Sequence, residues 1–140
     1  MIRKITLVLA GLLSISPVYA MEKNTINLDK EFWGKWSILN QKASCIESYE
    51  FKKPGTFTYE GNQKKLHGEF AVIRSQDNLK LDILSLVVKN DNGLLGCGGD
   101  KMNYSNQKSA FSLKWITKKS AEICLDPDAK QCIGIFLNKQ

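Results

Sequence analysis

The chain holds one histidine, His67, and four cysteines, Cys45, Cys97, Cys124 and Cys132. Catalysis by a nucleophile needs a base, most often histidine, beside a serine or cysteine. His67 lies in "KKLHGEF", between a turn and a strand, where a structural imidazole is expected rather than a catalytic one. Neither G-x-S-x-G nor H-E-x-x-H occurs. Carboxylate pairs offer little more. Glu47 and Glu50 differ in strand parity and point to opposite faces. Asp126 and Asp128 flank Pro127, where turn geometry accounts for them; a calcium site would want further oxygen ligands at regular spacing. Zinc would want closely spaced thiolates or additional histidines. "GCGGD", Gly96 to Asp100, lacks the lysine and following helix of a phosphate loop, so its glycines are expected to turn the chain beside Cys97. No catalytic residue, metal or cofactor is expected, and the chain does not read as an enzyme.

The cysteines point instead to a compartment. Residues 1–20 follow the pattern of a secretory signal: "MIRK" is basic, "ITLVLAGLLSI" is a short apolar run, and "SPVYA" ends in small residues. Cleavage near Ala20 would leave one domain, residues 21–140, in the bacterial periplasm or the medium. The apolar run is shorter than the roughly 20 residues of a membrane span, so no transmembrane segment is expected in the mature chain. An even cysteine count in a small exported domain predicts two disulfides. Removing Arg3 and Lys4 takes the formal charge from +6 to +4, too mild to suggest a nucleic-acid partner. The lysine pairs at 52–53, 64–65 and 118–119 read as solvated strand ends and turns. A monomer is expected.

The elements that must position these residues are strands. Apolar residues recur with period two almost throughout, and no convincing helical period extends over ten residues. "FWGKWSIL", "CIESYEF", "GTFTYE", "LHGEFAVIR", "LKLDILSLVV", "KMNYS", "FSLKWIT", "AEICL" and "CIGIFLN" read as strands, about eight or nine in all. "MEKNTINLDKEF" allows one short helical turn capped by Asn27 or Asp29. In the fifth strand Leu79, Leu81 and Ile83 alternate in one phase, and Leu84, Leu86 and Val88 in the other. A β-bulge near Ile83 and Leu84 would reconcile the two. "DPDAKQ" makes the last pair a hairpin, and a Cys124–Cys132 bridge suits it; Cys45 and Cys97 would then pair, with two other connectivities open. Consecutive hairpins with short connections predict an all-β, antiparallel up-and-down barrel of about eight strands, which leaves no edge exposed.

"GKW", Gly34-Lys35-Trp36, on the first strand of such a chain resembles the G-x-W signature of lipocalins and their bacterial relatives. The segment from Phe51 to Phe70 is similar to small bacterial lipocalin-like domains. The resemblance implies that Gly34 admits a tight entry into the first strand. It also implies that Trp36 plugs the closed end of the barrel beneath a basic residue of the last strand, here Lys139. The later T-D-Y-type motif of that family is missing. The spacing from Trp36 to Cys45 also resembles periplasmic inhibitors of secreted metalloproteases. Those carry a single disulfide with a nearer second cysteine, and they inhibit through an extended N-terminal segment.

A barrel of eight strands is wide enough to be filled by side chains or to hold one small ligand. Its inward positions are expected to include Tyr59, Phe70, Leu81, Phe111, Leu113 and Trp115, the candidate ligand-lining set. Trp33, of opposite parity to Trp36, is expected outside or at the rim. The function expected is non-enzymatic binding of a small apolar or amphipathic molecule. The alternative is an inhibitor or immunity protein whose partner is a secreted enzyme such as a protease.

Overall fold

A computed structural model describes residues 21–41 and 43–140; the signal-peptide reading lies outside the described residues. The period-two pattern resolves into eight strands: β1 (Gly34–Asn40), β2 (Cys45–Lys52), β3 (Thr56–Gly61), β4 (Lys64–Ile73), β5 (Asp82–Asp91), β6 (Lys108–Thr117), β7 (Ser120–Cys124) and β8 (Cys132–Lys139). Each pairs antiparallel with its neighbour in sequence, and β8 returns to β1, giving a closed up-and-down barrel. This is the topology expected from the sequence, and the two disulfides are Cys45–Cys97 and Cys124–Cys132. No helix of the described residues is long and apolar enough to cross a membrane.

Ahead of the barrel, a 3-10 turn (Lys23–Thr25) and helix α1 (Leu28–Glu31) fold back over one end. The Asn27 amide donates to the Glu31 carboxylate at 2.9 Å, which satisfies one helix-terminal N–H. The Met21 amide donates to the Trp115 carbonyl at 3.0 Å, and Ile26 is fully buried, so this segment is part of the core.

Two expected elements are not formed. "KMNYS" runs as irregular chain between β5 and β6. The bulge expected near Ile83 and Leu84 is also absent, because one phase persists from Asp82 to Val88: Asp82, Leu84, Leu86 and Val88 are buried in alternation. The residue that disguised this phase is Asp82. Its carboxylate is fully buried but accepts two hydrogen bonds from Arg74, at 3.2 and 3.0 Å, and one from the Trp115 indole at 3.0 Å. A buried charge paired in this way takes a core position that sequence patterning assigns to an apolar residue. Leu81 therefore precedes the strand, with its amide bonded to the Pro127 carbonyl, and Leu79 is 88% exposed.

The register does shift elsewhere, and the largest shift is in β8. Glu122 pairs with Phe136 and Cys124 with Cys132, so Ile123 alone faces Ile133, Gly134 and Ile135. Gly134 has φ +70°, a conformation side chains disfavour, and its amide donates to the Glu122 carboxylate at 3.2 Å.

Candidate functional site

The barrel has one end that is packed and one that is not. At the packed end Trp36 is fully buried, and its indole N–H donates to the Phe32 carbonyl at 2.7 Å. Lys139, its register partner on β8, places its ammonium 5.7 Å from the ring centroid and bonds the Glu31 carbonyl. Gly34 enters β1 at φ +114° with the Lys139 side chain beside it, which a Cβ-bearing residue would do only under strain. Phe32, Phe51, Phe70 and Trp115 surround this pair with ring centroids 4.8–6.1 Å apart. Trp33 sits outside the core, edge-on to Phe70 at 5.4 Å, with Lys53 over its face.

At the opposite end the strands enclose a cavity of about 300 Å³, at the small end of the roughly 300–1,000 Å³ typical of ligand sites. Its walls are the inward residues Glu47 and Tyr49 of β2, Phe57 and Tyr59 of β3, Leu66 of β4, Leu86 and Val88 of β5, and Phe111 of β6. A smaller and more apolar compartment of about 150 Å³ opens beside it. Glu47, Tyr49, Leu86 and Phe111 line both, while Phe51, Leu84, Ile123 and Ile38 form the floor and far wall of the smaller one.

The mouth is built by the chain between β5 and β6, and a buried ion pair fixes it. Lys64 and Asp91 meet at 2.9 Å with side chains 3% and 0% exposed. Lys64 also donates to the Met102 carbonyl and lies over the Tyr104 ring. Burial works against ionising Asp91, but the Tyr104 and Gly93 amides and Lys64 outweigh it and hold its carboxyl below the ordinary range. The Cys45–Cys97 bridge ties the same loop to the start of β2. Lys64 is thus an inward structural cation, not the solvated turn lysine expected from its place in a lysine pair.

Polar side chains also line the cavity, with Lys64, Asp100, Tyr104, Gln107 and Ser109 beside Glu47, Tyr49 and Tyr59. Glu47 accepts the Tyr59 hydroxyl at 2.5 Å. Burial, reinforced by the nearby Glu47, pushes the Tyr49 and Tyr59 phenols well above their usual range, so both remain neutral donors. Glu47 makes no ion pair among the described residues.

The candidate lining set divides accordingly. Tyr59 and Phe111 face the main cavity. Leu113 and Trp115 are buried in the core and line neither compartment, while Phe70 belongs to the packed end. Leu81 lies ahead of β5, outside the interior. His67 is exposed, paired across the ladders with Thr58 and Asn90. Asp126 accepts the Lys130 and Gln131 amides within the β7–β8 turn, and Asp128 pairs with Lys80. Among the described residues no three metal-ligating side chains gather. Glu47, Tyr49, Leu86 and the Lys64–Asp91 pair are the site residues sequence reasoning missed. Strand parity placed Glu47 opposite Glu50, which was the available signal.

No family model, curated protein or solved structure matches this chain. The closed eight-strand up-and-down barrel is consistent with a lipocalin-like fold.

Proposed function

We propose that this protein is an exported, non-enzymatic binding protein whose barrel takes a small amphipathic molecule at the open end. The observation that carries this reading is the pair of connected compartments walled by Tyr49, Leu86 and Phe111, apolar at depth and polar at the mouth. Apolar walls with a few fixed polar groups are the usual make-up of a small-molecule site. Burying a ligand's hydrocarbon there would yield roughly 25 cal/mol per Å² removed from water. The two disulfides suit an oxidising compartment such as the periplasm, and a lipocalin-like relationship would suit the topology. Native mass spectrometry of protein isolated from its own cell envelope tests the reading. A retained small molecule is expected, lost on substituting Leu86→Trp. A bare mass, together with failure to bind any alkyl amphiphile added afterwards, would contradict it.

A second reading, an inhibitor or immunity protein that binds a secreted enzyme, is favoured by exposed apolar residues near one side: Leu39, Ile46 and Phe136. The segment that carries inhibition in the metalloprotease inhibitors is here folded against the core through Met21 and Ile26. Any enzyme contact would therefore come from the open end or its apolar flank. Stoichiometric recovery of one hydrolase from culture supernatant would support this reading.

A further inference from the structure

The wall between β1 and β8 is incomplete. Their ladder consists of Trp36↔Lys139 and Ser37↔Asn138. Beyond it, Ile38–Asn40 and Ile133–Phe136 have no register partner across this junction. The Gly134 bulge falls within this unpaired stretch of β8. Ile133 and Ile135 share strand parity with the buried Leu137, yet they are 42% and 40% exposed. Inward side chains on a closed barrel should be buried; these face a gap. A groove runs along that gap, and it shares Ile38, Glu47, Ile133 and Ile135 with the apolar compartment inside. The interior therefore opens sideways as well as at its end.

Glu47 stands where all three spaces meet. One carboxylate oxygen takes the Tyr59 hydroxyl; the other accepts no hydrogen bond among the described residues. The cavity's buried cation, Lys64, is committed to Asp91. An anionic head group would thus meet an uncompensated carboxylate and no available ammonium. A cationic head group would complete the unpaired oxygen with a charge-assisted bond.

Building on the binding reading above, we infer that the ligand is a single-chain cationic amphiphile. Its ammonium sits on Glu47, and its hydrocarbon chain passes through the β1–β8 slot over Ile38, Ile133 and Ile135. The slot also sets what chain lengths fit. A closed cavity rejects a chain that outgrows it, whereas a side opening lets the excess run out along the groove.

Calorimetric titration of the full folded protein with decylamine, decanol and decanoate, each below its aggregation concentration, tests the head-group assignment. Decylamine should bind about tenfold tighter than decanol, and decanoate weakest. Glu47→Gln, which keeps the side-chain shape, should bring decylamine to the level of decanol. Equal or tighter binding of decanoate, or an unchanged amine affinity in Glu47→Gln with native circular dichroism, would overturn the assignment. Tetradecylamine tests the slot: it should bind at least as tightly as decylamine, and a steep loss would rule the side opening out. If all three ten-carbon probes bind alike, the binding reading stands and this inference fails. If none binds, both fail.

Discussion

The two ends of this barrel are built from different materials. The packed end is aromatic and continuous: Trp36, Phe32, Phe51 and Trp115 fill it, and the N-terminal segment covers it. The open end is held by a disulfide and a buried ion pair around unfilled space. In one, stability comes from apolar area and close packing. In the other, a few polar links hold a loop in place and leave the interior free. The contrast separates the part of the molecule that keeps the fold from the part available for binding.

Substitutions at the two ends should therefore have different consequences. The largest expected effect is at the packed end. Trp36→Ala should destabilise the protein by about 3–5 kcal/mol, read by denaturant unfolding, while leaving amphiphile affinity in the folded fraction near that of the parent. Lost binding with little change in stability would place the ligand at the wrong end of this account. Next comes Lys64→Met, which leaves Asp91 buried without its cation and should cost about 3 kcal/mol. Here hydrogen exchange should quicken first in residues 92–107, with the Trp36 indole still protected.

Acid should produce a smaller version of the same asymmetry. Asp91 has a folded pKa below its ordinary value of 3.8. Its contribution is complete above that unfolded value and is lost as pH falls through the lower folded one. As the pH falls below about 4, the Gly93 and Tyr104 amides that Asp91 accepts should lose protection, while the Trp36 indole bonded to Phe32 holds. Simultaneous loss at both sites would show that the mouth is not an independent unit.

The sequence was most legible where chemistry and pattern agree. Trp36 and its neighbours alternate cleanly, and the cysteines flanking "DPDAKQ" pair across their hairpin. Legibility failed where a polar residue faces inward. Asp82 broke the β5 phase because Arg74 and Trp115, distant or opposite in the ladder, are what make its burial tolerable. Lys64 and Asp91 lie 27 residues apart, so neither announces the other. Glu47 could be placed on a face, but not known to stand, without an ion pair among the described residues, where three spaces meet. The β8 opening did leave a trace, the glycine inside "CIGIF", since a glycine within a strand often marks a bulge.

The most direct test of the central claim is a two-dimensional amide NMR titration of the folded protein with decylamine. Shifts should concentrate at Glu47, Tyr49, Tyr59, Leu86, Phe111, Ile133 and Ile135, with the amides of Phe32, Trp36, Phe51 and Leu137 unmoved. Shifts centred on the packed end, or scattered evenly over the outer surface, would contradict it.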